Sequence, residues 1–96
     1  MADPKSPDDN EAILRVSSSS AAGALASAVS HAVYDGKSVI LRAVGAGAVN
    51  QAVKAIAIAQ SYVGMRGLIL YTRVGFTTVS MPDRDVSGIV LRVEAK

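Results

Sequence analysis

The sequence predicts an α/β protein: a two-layer sandwich of order βαβαββ, with a mixed four-stranded sheet and two helices on one face. Three observations predict it. Two short β-rich runs alternate with two long, Ala-rich stretches of helical periodicity between residues 12 and 63. Each strand–helix–strand passage calls for a right-handed crossover, which places both helices on the same side of the sheet. The remainder, LILYTRVGFTTVSM, PDRD and VSGIVLRVEA, reads as one long β-hairpin with Pro82–Asp85 at its tip.

The first strand is Ala12–Val16, which sets Ile13 on one side and Leu14 and Val16 on the other, the pattern of a strand buried on both faces. Ser17–Ser20 follows and is expected to cap a helix from about Ala21 to Tyr34, a hydroxyl accepting from the first-turn amides. Leu25, Val29 and Ala32 make the buried stripe of that helix, with Ser27, Ser30 and His31 turned away from it. Asp35–Gly36 ends it, glycine accepting the left-handed conformation common there. The second strand is Lys37–Val44. After the loop Gly45-Ala46-Gly47, a helix over Ala48–Val63 buries Val49, Ala52, Val53, Ile56, Ala59 and Val63. Gly75 and Gly88 are expected to mark bulges or bends in the hairpin.

Composition narrows the function. Half of the 96 residues are hydrophobic, but Ala and Val supply 29 of them, aromatics are 4% and charged residues 19%. With so little charge to solvate every face, some surface is expected to lie against another chain. Without cysteine there is no disulfide framework, thiolate zinc site or cysteine nucleophile, and the one histidine cannot build a multi-histidine metal site. The longest stretch free of formal charge, Val16–Tyr34, holds six Ser and six Ala, too polar for a membrane span. The expectation is a cytoplasmic, non-enzymatic domain without metal or cofactor.

The formal charge of +2 divides along the chain. Residues 1–11, with Asp3, Asp8, Asp9 and Glu11 against Lys5, read as a disordered leader of net −3. Residues 12–96 form the single domain and carry nine Lys/Arg against four acids, a net of +5 that favours polyanions. An acidic leader ahead of a basic domain is placed to compete with such a polyanion.

The most distinctive segment is RAVGAGAVNQAVKA, Arg42 to Ala55. Glycine at a strand-to-helix turn lets backbone approach a ligand, and the free amides of a helix start attract anions. Gly45 and Gly47 lack the third glycine of a dinucleotide fingerprint and the Lys-Ser/Thr of a P-loop, so tight turn geometry with close helix–sheet packing is the main role expected of them, ahead of a ligand. Asn50 and Lys54 share one helix face, to meet phosphate or simply solvent. Gln51, Ile58 and Tyr62 lie on another, whose apolar members suit a partner chain. His31, the serine run and Asp83/Asp85 show no acid–base setting.

The segment GAGAVNQAVKAIAIAQSYV, Gly45–Val63, closely resembles the stage V sporulation protein S family, with its Gly-Ala-Gly-Ala-x-Asn-Gln-Ala-x-Lys-Ala core, and Ala22-Gly23-Ala24-Leu25 matches the family's first helix. That family is related to Alba chromatin proteins. The resemblance implies that the last strand inserts between strands two and three, and a nucleic-acid-binding or regulatory role in bacterial development as dimers or larger assemblies. Where Alba proteins carry paired lysines, loop arginines and a basic hairpin tip, this chain has Ser17–Ser20, Gly45-Ala46-Gly47 and the net −1 tip Pro82-Asp83-Arg84-Asp85, which leaves fewer phosphate contacts.

Two readings follow. In one, the domain binds DNA or RNA, with Arg42, Asn50, Lys54, Arg73 and Arg84 at phosphate and Gly45 and Gly47 giving the backbone access. In the other, it is a self-assembling scaffold that pairs with itself through Gln51, Ile58 and Tyr62. A third, narrower option is a small phosphorylated ligand at the Gly45–Asn50 helix start.

Overall fold

The computed structural model describes residues 10–96, so the expected leader lies outside the described residues except for Asn10 and Glu11. The chain runs β1 (Glu11–Val16), α1 (Ala22–Tyr34), β2 (Ser38–Ala43), α2 (Ala46–Val63), a 3₁₀ turn (Gly64–Arg66), β3 (Leu70–Ser80) and β4 (Asp85–Ala95). The sheet order is β1-β2-β4-β3, with β1 parallel to β2 and the other pairs antiparallel. This is the expected mixed four-stranded sandwich, with the last strand inserted between strands two and three. Glu11 begins β1 opposite Ser38, one residue ahead of the expected start.

The strand patterns explain the insertion. A central strand lies beneath the helices and needs apolar side chains at least on the covered face, at every second residue. VSGIVLRVEA supplies them, and Leu91 and Val93 are buried. TRVGFTTVS instead carries polar residues on both of its faces and is exposed over most of its length, which suits the edge position of β3. Register then sorts the faces. Leu14 and Val16, Val39, Leu41 and Ala43, and Leu91 and Val93 turn to the helices, where Leu41 packs among fully buried side chains. The alternate residues of the same strands turn to a face that no helix covers.

Alanine brings the helices in close. On α2 the buried residues are Ala48, Ala52, Ala55, Ala59 and Val63. The expected stripe is therefore rotated: Val49 and Ile56 are half-buried, and Val53 is 52% exposed. The cause is α1, which packs on the flank of α2 and draws in Ala48 and Ala55, so the seam follows the smallest side chains rather than the largest. On α1, Ala26, Val29, Ala32 and Val33 are buried, Leu25 is half-buried, and Ser30 is buried where it is expected to face away. Its hydroxyl donates to the Ala26 carbonyl at 2.9 Å, which satisfies the polar group inside the layer.

The helix ends depart from expectation in two places. The serines do not cap α1: its N-cap is Ala21, with no side-chain bond, and Ser17–Ser20 closes a turn of its own. Helix α2 starts at Ala46, two residues early, because Gly45 takes φ 92° and turns the chain directly into the helix. The exit of α1 is as expected: Gly36 sits at φ 77°, its amide bonds Val33 and the Lys37 amide bonds Ala32, the paired bonds of a Schellman end. The hairpin carries no bulge. Gly75 pairs with Val90 and Gly88 with Thr77 in unbroken register, and Gly88 lies where a Cβ would press on the Ala43 carbonyl at 3.2 Å.

Leu41 is the largest fully buried side chain. Leu41→Ala is expected to cost about 2–5 kcal/mol, read as a lower urea midpoint with an unchanged slope.

Candidate nucleic-acid interface

The uncovered face of the sheet is built by strand register. Arg15 of β1 pairs with Arg42 of β2, which pairs with Val90 of β4, and Val90 with Gly75 of β3. One row along, Ile13, Ile40, Arg92 and Arg73 stand in line. Residues directly opposite one another point to the same side, so four arginines share this face. Two of them have carboxylate partners: Arg92 donates to Glu11 at 2.5 Å and Arg73 to Glu94 at 2.9 Å. Arg15 and Arg42 are exposed and have no ion pair among the described residues. Tyr71 lies on the same side of β3, about half exposed, with the Lys96 ammonium 5.6 Å from its ring centre.

The expected contact residues are divided by this geometry. Arg42 and Arg73 lie on the open face and Arg84 in the hairpin turn closed by the Met81 amide and Arg84 carbonyl. Gly45, Gly47, Asn50 and Lys54 belong to the start and outer side of α2, across the sheet. Basic residues that look dispersed along the chain are thus partly gathered, and the gathering adds Arg15 and Arg92. Period-two alternation carried that signal: Arg15 stands two residues from Ile13, Arg42 from Ile40, and Arg92 from Val90.

The start of α2 is occupied from within. A Cβ on Gly47 would stand 2.8 Å from the Ser18 Cβ, so the missing side chain makes room for the serine loop. Gln51 fastens the same loop by donating to the Ser20 carbonyl at 2.8 Å. Beside Gly45 and Asn50 runs a groove of about 570 Å³ between α2 and the hairpin, with Val49, Val53, Phe76 and Ile89 on its walls. No basic side chain lines it, so the helix start offers a phosphate little beyond backbone.

The expected self-association face is largely taken up inside the chain. Gln51 holds the serine loop, and Ile58 packs on the core. The Tyr34 hydroxyl donates to the Tyr62 carbonyl at 3.4 Å while Arg66 lies 4.0 Å over the Tyr34 ring. Tyr62 alone of the three keeps an exposed ring surface. Elsewhere, Val53 on α2 and Val74 and Phe76 on β3 are exposed and apolar, the last 88% exposed. Two helices cover β1, β2 and β4, and β3 projects beyond them.

The described residues hold no cluster of His, Asp or Glu able to bind a metal ion, and no helix among them is long and apolar enough to cross a membrane.

The Gly47–Ser18 contact predicts a coupling. Gly47→Ala should lower the stability of the wild type, because crowding of about 1–3 kcal/mol outweighs a helix-propensity gain of up to about 1 kcal/mol. In a Ser18→Gly background the same change should stabilise. Urea unfolding of the four proteins in this cycle measures the difference.

The elements that carry the open arginine face and the glycine-led helix are those of one known family. A model of the Stage V sporulation protein S (SpoVS) family matches residues 12–96, from the second residue of β1 to the last residue of the chain, and the protein therefore belongs to the stage V sporulation protein S family.

Proposed function

We propose that the protein is a non-enzymatic, nucleic-acid-binding regulatory protein of bacterial sporulation that acts as a dimer or larger assembly in the cytoplasm. The observation that carries the reading is the arginine-bearing open face of the sheet. Guanidinium groups present planar donors to phosphate oxygens, and a flat exposed sheet can lay several of them along one backbone. Tyr71 on the same face supplies a ring for stacking. The two glutamates moderate this surface at Arg92 and Arg73 and leave Arg15 and Arg42 as its strongest phosphate contacts. Lys54, Asn50, Gly45 and Gly47 lie across the sheet and are secondary in this reading.

The non-enzymatic part of this reading rests on the sequence, in which the serine run and His31 show no acid–base setting. Ser17 and Ser20 hydrogen-bond within their own loop, and His31 lies exposed on α1. Self-assembly has its own support, the strip of Val53, Val74 and Phe76. It is apolar and uncharged, so two copies of it match one another about a two-fold axis, whereas a charged partner would find no counterpart.

Two outcomes check these readings. Titration of a labelled oligonucleotide between about 50 and 200 mM salt should give a log–log slope near −3 for a single strand, as about four phosphate contacts require. Arg42→Gln should reduce that slope by about 0.7, the share of one contact on a single strand, and a slope near zero would overturn the phosphate-contact reading. In sedimentation, the wild type should form dimers or larger species and Phe76→Glu should shift it to monomer with its fold retained. A wild type that stays monomeric at high concentration removes the assembly.

A further inference from the structure

The hairpin reaches past the rest of the sheet. Pairing of β4 with β2 ends at Ile89–Ala43, whereas Asp85–Gly88 and Thr77–Ser80 continue to pair only with each other. This arm returns Val79, Ser80 and Met81 to the end of the open face, where they enclose a cavity of about 390 Å³ with Arg15, Arg42 and Val44. Its lining thus combines two arginines with the apolar residues Val16, Val44, Val79 and Met81.

Arg15 and Arg42 are direct register partners on adjacent strands, whose backbones lie about 4.8 Å apart. Like charges directly opposite one another destabilise a sheet. The chain relieves this at its other open-face arginines, since Glu11 meets Arg92 and Glu94 meets Arg73. At Arg15 and Arg42 no carboxylate among the described residues does so, and the unpartnered pair is also the pair that borders the cavity. Two guanidiniums on one side can bind a doubly charged phosphate with more than one oxygen each. Val44, Val79 and Met81 offer surface to an apolar body.

We propose that this cavity is a binding site for a phosphomonoester, its dianionic head on Arg15 and Arg42 and its apolar or aromatic body along Val44, Val79 and Met81. The site goes beyond the polynucleotide reading, with which it shares Arg42, because it needs a terminal phosphate and no strand. Two sources supply that chemistry, a small phosphorylated molecule or the 5′-phosphate end of a nucleic acid.

The test is calorimetric titration of the full chain in chloride buffer with inorganic phosphate, phenyl phosphate, and short oligonucleotides with and without a 5′-phosphate. Phenyl phosphate should bind about tenfold more tightly than inorganic phosphate, through the apolar lining residues. Arg15→Gln and Arg42→Gln should each weaken phenyl phosphate by about tenfold or more, while Lys37→Gln and Arg66→Gln, away from the cavity lining, leave it within about twofold. Arg15→Gln should also raise the melting temperature in phosphate-free buffer, because it removes the facing charge, which shows that lost binding is not lost folding. A gain in affinity from the 5′-phosphate, abolished by Arg15→Gln, assigns the site to strand ends; no gain, with phenyl phosphate still bound, assigns it to small molecules. Absence of phenyl phosphate binding, or equal loss in all four variants, overturns the proposal. Neither result touches the salt-dependent binding of long strands, so the two readings fail separately.

Discussion

Close approach of two alanine-rich helices to one face of the sheet is the constraint on which the rest of this structure depends. A four-stranded sheet has two faces, and a chain of this length supplies helices for one. The helices can cover that face and still pack on each other only if the seam is narrow. Ala26 and Ser30 on α1, and Ala48, Ala52, Ala55 and Ala59 on α2, make it narrow. Alanine has no side-chain entropy to lose and buries little area per residue, so much of the apolar burial falls to the strands, at Val39, Leu41 and Val93. The same narrowness explains Gly47, where even one methyl group would strike the serine loop.

What the helices leave uncovered then decides where charge can go. The open face must meet water, and its strands place arginine on that side at four positions in two adjacent rows. An arginine on an open sheet can lay its stem over neighbouring apolar residues and keep its head solvated. Ile13, Ile40 and Val90 stand in the same rows for that purpose. Glu11 and Glu94 pair with two of the four heads, the second pair largely exposed, and leave Arg15 and Arg42 without a carboxylate among the described residues.

The fold was legible in the sequence because its signals are local and repeated. Period two marked the strands, the stretch of small residues marked the helices, and Gly36 marked an end that the structure builds with two specific bonds. Core facing on α2 was less legible. Periodicity finds a stripe but ranks its residues by size, whereas here α1 selects the smaller ones, so Ala55 goes in and Val53 stays out. Ser30 misleads for a related reason: a hydroxyl counts as polar until its bond to the Ala26 carbonyl is known. The candidate site was legible only in part. Arg42 and Arg73 were visible as isolated cations, but their neighbourhood depends on which strands are adjacent. Only the insertion of β4 puts Arg92 between Ile40 and Arg73.

The β3–β4 hairpin joins the two surfaces without making them compete. Phe76 and Val74 lie on the helix side of β3, opposite Ile89 and Leu91, while Tyr71, Arg73 and Val79 alternate with them on the other side. A second copy seated on Phe76 would cover the groove beside α2 and leave the open face of each protomer in solvent. Assembly would then multiply the arginine surfaces, and several weak phosphate contacts held in one body bind a polyanion more tightly than the same contacts apart. Under the proposed function, the modest charge of a single domain would then suffice for firm binding, because affinity for a long strand would depend on how many such faces one assembly presented.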